Sequence, residues 1–307
     1  MMPQTTFSSI SQNTVTQWFP EPVKGDNESA FLQAACKHLI ITTLSRKFRR
    51  MKRTIETVRH NYDEERAGRT WSDFEDYVFM TSSPRDFILW DGKVRLGSFA
   101  EVRAFLLRYL SGQISAVVQP GDTIIEIGSG DGRNLAWLKR MFPLLRCIGL
   151  DLSPTSVEVS RKMARQFKTE IEFHAADATQ SLQHLPRSAV VFSSHALEQM
   201  PDIFTNAVDN MLMLADRRGI FLEPVQELCP WGIRGILSRY RAIHMNRLRG
   251  LYRYVRQRGV RILEARALMH AVNPLNETCA IIVDVNGSRS AASPEGCRSN
   301  CELPVCM

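Results

Sequence analysis

Residues 123–134, Thr-Ile-Ile-Glu-Ile-Gly-Ser-Gly-Asp-Gly-Arg-Asn, constrain this chain more than any other stretch. A β-branched apolar run ends in an acid and three alternating glycines before a helical pattern starts, which reads as strand, tight turn and helix. Gly128, Gly130 and Gly132 let the backbone turn sharply and approach a ligand where any Cβ would clash. Glu126 is placed to meet a polar or charged group. A dinucleotide fingerprint, G-x-G-x-x-G, needs its third glycine at position 133. Position 133 is Arg and the glycine falls at 132, so the spacing disfavours a nicotinamide oxidoreductase.

At this loop the sequence resembles the class I S-adenosylmethionine-dependent methyltransferases, whose first motif reads acid-x-G-x-G-x-G at the end of the first strand. Glu126, Gly128, Gly130 and Gly132 match it, with Ser129 inside the loop. Arg146 to Asp151 reads as a second buried strand ending in an acid, where Asp151 can accept hydrogen bonds from both ribose hydroxyls. Leu152 then supplies apolar contact to the adenine face. A short third strand, Ile171 to Phe173, leads into His174-Ala-Ala-Asp177-Ala178; the resemblance implies that Asp177 accepts from the adenine amino group and that the Ala178 amide meets the ring. The fourth strand, Ala189 to Ser194, runs into His195-Ala-Leu-Glu198, similar to the family's segment between cofactor and acceptor, and Ser194 joins the cofactor set. The resemblance covers about residues 120 to 285 and departs where Arg187-Ser188 stand in place of the acid that often opens the fourth strand.

The family implies an α/β, Rossmann-like fold: a seven-stranded, mostly parallel sheet of order 3-2-1-4-5-7-6, helices on both faces and a helical N-terminal extension. Ile203 to Ala215 is expected as a helix and Gly219 to Glu223 as the fifth strand. Val260 to Ala267 and Thr278 to Val285 close the sheet as an antiparallel pair. From Ile233 to Arg258 the apolar positions 233, 236, 237, 240, 248, 251, 252 and 255 form one helical stripe, with eight arginines elsewhere and no acid, which predicts one long amphipathic helix. The organisation expected is a flexible leader over 1–27, a helical extension or cap over 28–118, the S-adenosylmethionine-dependent domain over 119–285 and a disordered tail over 286–307.

Within the cap, residues 29 to 64 look helical and carry the basic run 46–53; a further helix spans Ser98 to Ser111, and Asp91-Gly92 marks a turn. Tyr62, Trp71, Phe74, Tyr77 and Trp90 are candidates to touch substrate, against the simpler role of packing the cap onto the sheet. No apolar run reaches the roughly 18 residues of a membrane helix, and the first 25 residues lack a basic start and an apolar centre, so a cytoplasmic protein is expected. The seven cysteines at 36, 147, 229, 279, 297, 301 and 306 show no metal-ligand spacing with histidine, and no metal is expected.

Methyl transfer from a sulfonium needs donor and acceptor in line about 3 Å apart, with no metal and no covalent intermediate. An alcohol acceptor requires a base, and an amine acceptor requires one only to stay neutral. His195 is the first candidate, at a strand end facing the methyl group; Glu198 and Glu223 are the alternatives, and Asn134 supports the glycine loop. The net charge of +7 is concentrated in the 46–53 run and the arginine-rich helix, which points to an anionic acceptor among small molecules, glycans and lipids. RNA is second, since no RNA-binding module is recognised, and contact with an anionic membrane surface stays open. A binding protein that keeps the fold without transfer is the remaining rival.

Overall fold

The computed structural model describes residues 54–200, 204–244 and 248–286, with a few isolated positions before them. The 46–53 run, residues 1–20 of the expected leader, the tail after 286 and Cys36, Cys297, Cys301 and Cys306 lie outside the described residues, whereas Glu21–Pro22, expected as flexible, form a short strand antiparallel to Arg95 and Leu96. Seven strands form the central sheet: β3 (Thr123–Ile127), β4 (Arg146–Asp151), β5 (Ile171–Ala175), β6 (Ser188–Ser194), β7 (Ala215–Glu223), β8 (Arg261–Ala267) and β9 (Cys279–Asp284). Their spatial order is β5-β4-β3-β6-β7-β9-β8, the order expected from the sequence. The first five run parallel, and β9 lies antiparallel to both β7 and β8.

Because helices cover both faces, the central strands are nearly continuous apolar runs whose alternate residues serve two cores. Ile125, Ile127, Ile148, Val191 and Phe221 pack on one side with α6 (Phe204–Leu214) and α8 (Leu251–Gln257). Ile124, Cys147, Val190, Phe192 and Ile220 pack on the other with α3 (Phe99–Ser115), α4 (Arg133–Met141) and α5 (Pro154–Gln166).

The segment before β3 holds α1 (Ile55–Arg66), α2 (Phe74–Phe79) and a hairpin of β1 (Asp86–Trp90) with β2 (Lys93–Gly97). The hairpin turn is Asp91-Gly92, both at positive φ (50° and 73°), the conformation that matches strand twist in a two-residue turn. Leu89 exchanges both backbone hydrogen bonds with Ala271 (2.8 and 3.0 Å), so the hairpin is stitched to the chain leaving β8. Ser98 and Glu101 form a capping box that starts α3. Trp71, Phe74 and Tyr77 cluster with Phe167, and Trp90 packs on Phe105 and His270, so four of the five candidate aromatics serve packing.

The expected long helix over 233–258 is corrected in one respect. It is two helices, α7 (Ile233–His244) and α8, with Gly250 at φ 84° as the N-cap of the second, a conformation that ends an α-helical run. The apolar stripe of α7 also faces outward: Ile233, Ile236 and Tyr240 are 60%, 62% and 54% exposed, and Trp231 just before them is 92% exposed. Glu277 is almost wholly buried, and Arg234 turns inward to within 3.4 Å of it, while buried Arg241 donates to Asn276 (3.2 Å). A buried carboxylate left alone costs several kcal/mol, and the inward turn of Arg234 supplies its partner.

Ile236→Ser is therefore expected to change stability by less than about 0.5 kcal/mol, whereas Leu251→Ala on α8, fully buried, is expected to cost about 2–5 kcal/mol; denaturant unfolding of the two variants checks the assignment of faces.

Candidate functional site

The loop between β3 and α4 is tied to the neighbouring strand by its own amides: Gly128 N and Ser129 N both donate to Leu150 O (2.7 and 2.9 Å). All three glycines sit at positive φ, yet their surroundings differ. A Cβ on Gly128 would lie 2.2 Å from Ala196 Cβ, and one on Gly132 would lie 2.6 Å from the Phe173 ring. A Cβ on Gly130 would meet nothing nearer than Arg66 Nη2 at 3.9 Å. Two glycines thus allow close packing and the middle one keeps space open, above a cavity of about 660 Å³.

Asp151 ends β4 at this cavity. Its Oδ2 accepts from Gly130 N (2.7 Å) and its Oδ1 from Ser153 N (2.9 Å), and burial pushes its pKa up to about 6. Leu152, Asp177 and Thr179 continue the wall, with Asp177 Oδ1 accepting from the Thr179 amide and hydroxyl (2.9 and 2.7 Å). Below the loop, Glu126 is 1% exposed; Asn134 Nδ2 donates to its Oε1 (2.6 Å) and its Oε2 has no hydrogen-bond partner. Burial pushes the Glu126 pKa up to about 8 against the pull of Asn134 and Arg103. The Ser129 hydroxyl at the cavity is likewise buried without a partner.

Helix α1 lies over the opening, with Ile55, Val58, Tyr62 and Arg66 lining it. It is fastened at two points: Ser153 Oγ donates to Asp63, and Arg66 forms an ion pair with Asp131. Asp131 also takes Arg133 (2.7 Å), whose guanidinium stacks on Trp71 at 4.5 Å.

At the far end of the cavity, His195 holds φ 55°, an uncommon conformation for a non-glycine residue and a frequent sign of a functional site. Its Nδ1 is 3.2 Å from Glu198 Oε1 and its Nε2 is 2.8 Å from Thr278 Oγ1. Glu223 is fully buried, its two oxygens accepting from the amides of Ala196, Leu197 and Glu198 (3.0, 3.1 and 3.2 Å). A second cavity of about 300 Å³ adjoins the first, and Arg103, Asn134, Ser194 and His195 line both.

Residues 124–219 match the family model of a methyltransferase domain. These residues carry a methyltransferase domain. Among solved structures the chain is similar to the [4+2]-cyclase SpnF (TM-score 0.55, 14% identity, 76% of this chain and 97% of that one). Magnesium protoporphyrin IX methyltransferase from Synechocystis PCC 6803, crystallised with SAH, gives a TM-score of 0.52 at 12% identity over 75% of this chain and 99% of that one. An O-methyltransferase family protein from Burkholderia thailandensis gives 0.48 at 17% identity over 60% of this chain, which spans 57% of that protein's length. At these identities the likeness is one of fold.

The methyltransferase cofactor is S-adenosylmethionine, and the cavity fits it: open space at Gly130, a carboxylate pair at Asp151 and Asp177, and an unpartnered hydroxyl at Ser129. Gly128, Ser129, Gly130, Asp151, Leu152, Asp177 and Ser194 line the cavity. Glu126 and Gly132 support the loop from behind. The Ala178 side chain is buried in the sheet core, and Thr179 beside it lines the wall. Of the three candidate bases, His195 lines both cavities, Glu198 reaches them through His195, and Glu223 faces neither because it fastens the turn Leu197–Gln199. Tyr62 is the one cap aromatic of the five at the cavity. Sequence reading passed over Arg66, Arg103, Asp131 and Arg133. Asp131 sat between two of the glycines, and Arg103 interrupts the apolar face of α3, a signal present in the sequence.

Asp151→Ala is expected to weaken S-adenosylhomocysteine binding by about 1.5–3 kcal/mol, and wild-type affinity is expected to fall as pH drops through about 6, where the carboxylate protonates; isothermal titration at several pH values reads both. The Glu126 carboxyl has a folded pKa raised above its ordinary 4.5, so the stability it contributes is complete below about 4.5 and lost as pH rises through about 8. Glu126→Gln is expected to flatten that decline in unfolding free energy between pH 5 and 9.

Proposed function

We propose that this chain transfers the methyl group of S-adenosylmethionine to an oxygen or nitrogen of a small-molecule acceptor held in the second cavity. The observation that carries the reading is the shared wall: His195 belongs to both cavities, so a group bound in each meets at its ring. The cofactor supplies an electrophilic carbon on a sulfonium. Asp151 binds the ribose hydroxyls, the glycine loop takes the backbone of the ligand, and α1 with Ile55, Val58 and Tyr62 keeps water from the cavity.

His195 is the base. With Glu198 accepting from Nδ1–H, the lone pair lies on Nε2, where the Thr278 hydroxyl now donates and an acceptor hydroxyl takes its place. Nε2 would take the acceptor's proton as that oxygen is methylated. Glu198, itself 3.4 Å from Asn276 Nδ2, holds the ring in this tautomer and stabilises the cation that forms.

A small molecule is favoured over RNA because the second cavity is narrow and walled by Phe99, Val102, Leu106 and Leu107 of α3, not by an open groove with stacking platforms. Among the described residues no helix is long and apolar enough to cross a membrane. The structure of the cyclase SpnF on this fold gives weight to a second reading, cofactor-fold chemistry without methyl transfer.

Titration with S-adenosylmethionine and with NADH, followed by an acceptor screen with radiolabelled methyl donor, separates these readings: binding of the first alone and label in an acceptor is the expected result. With an acceptor in hand, His195→Ala is expected to lower kcat by about 10²- to 10⁴-fold with the Kd of S-adenosylhomocysteine unchanged. Equal turnover in that variant assigns His195 to loop packing.

A further inference from the structure

Arg103 is the one fully charged side chain among the residues that line the second cavity, and no carboxylate is among them. It rises from the apolar face of α3, with buried Val102 and Ala104 on either side. Two of its nitrogens are spent on neutral acceptors: Nε donates to Val78 O (2.7 Å) and Nη2 to Asn134 Oδ1 (3.0 Å). No carboxylate of the described residues lies within ion-pair distance of it. Asp131 and Glu126 act on it only at longer range, Asp131 already paired with Arg66 and Arg133, and Glu126 linked to it through Asn134. Glu126 is moreover held largely protonated at neutral pH, with a pKa of about 8. The other guanidiniums of the site, Arg66 and Arg133, share Asp131 and line the first cavity, not the second.

A guanidinium in an apolar pocket is costly unless an anion neutralises it, and its planar fork suits a carboxylate. Apart from His195, the remaining lining is aliphatic or aromatic, with Asn134, Ser194, Asn273, Asn276 and Thr278 as its neutral polar groups. At about 300 Å³ the pocket stands at the small end of ligand sites. We propose that the second cavity takes a small hydroxy acid with an apolar body, its carboxylate paired with Arg103 and its hydroxyl presented to His195. This assignment rests on the methyltransferase reading and names its acceptor class. It excludes cationic amines, which would face Arg103 and a sulfonium with no balancing charge in the pocket.

The test uses the full chain saturated with S-adenosylhomocysteine, titrated with 4-hydroxybenzoic acid, 4-hydroxycinnamic acid and the primary amide of each. At least one acid is expected to bind about tenfold more tightly than its amide, the loss of one charge-assisted contact. Arg103→Gln is expected to abolish that preference while S-adenosylhomocysteine binds within about twofold of wild type, and Arg103→Lys to retain part of it. Acids and amides of equal affinity, or no acid binding to the loaded protein, overturn the proposal. A loss of about tenfold or more in S-adenosylhomocysteine affinity in Arg103→Gln also overturns it, because Arg103 then holds the carboxylate of the cofactor. Failure of the wild-type chain to bind S-adenosylhomocysteine at all removes the methyltransferase reading first, and this acceptor assignment with it. The comparison of acid with amide needs no variant, so poor folding of Arg103→Gln leaves it decisive.

Discussion

The site depends on backbone amides of the glycine loop donating into the end of β4. Gly128 and Ser129 bond the Leu150 carbonyl, and Gly130 bonds the Asp151 carboxylate. These bonds fix the loop in a left-handed path open to glycine and costly to other residues, by about 1–2 kcal/mol each. They also aim the two oxygens of Asp151 and set the start of α4, on which Asn134 and Arg133 are carried. Asn134 then links Glu126 below the loop to Arg103 beside the second cavity. A single strand-to-helix turn thus organises both cavities.

The second fixed point is electrostatic. Glu223, fully buried, accepts three successive amides after β6, as an anion at the start of a helical turn does. That holds the backbone of His195 at its unusual φ, for which strain of about 1–3 kcal/mol is typical, and the ring is then clamped between Glu198 and Thr278. A base whose backbone and ring are both restrained loses little freedom when substrate arrives.

The sheet was legible in the sequence because parallel strands covered on both faces are unbroken apolar runs, and β3, β4 and β6 are of that kind. The strand ends at Asp151 and Asp177 were legible because chemistry, not packing, places acids after such runs. What escaped were features that depend on partners distant in the chain. Ala178 and Thr179 are adjacent, and only the path of the chain after β5 decides which one faces the cavity. Glu223 looked like a free acid because the amides that bind it lie 25 to 27 residues away. The outward direction of α7 is not legible in its apolar period, because Glu277, which pairs with Arg234 beneath it, comes more than thirty residues later. Arg66, Arg103 and Arg133 act through contacts made across the loop, which a helical period does not reveal.

One contact has a wider reach. The Cα of Gly128 stands so near Ala196 that a methyl group would collide there, and Ala196 follows His195 directly. The loop under the cofactor and the loop that carries the base therefore behave as one rigid body and change only together. The apolar side chains that α3 brings to the second cavity, Phe99, Val102, Leu106 and Leu107, have no polar atoms with which to hold either loop. A lineage of such proteins is free to vary those side chains, and with them the molecule modified, while its donor machinery stays constant.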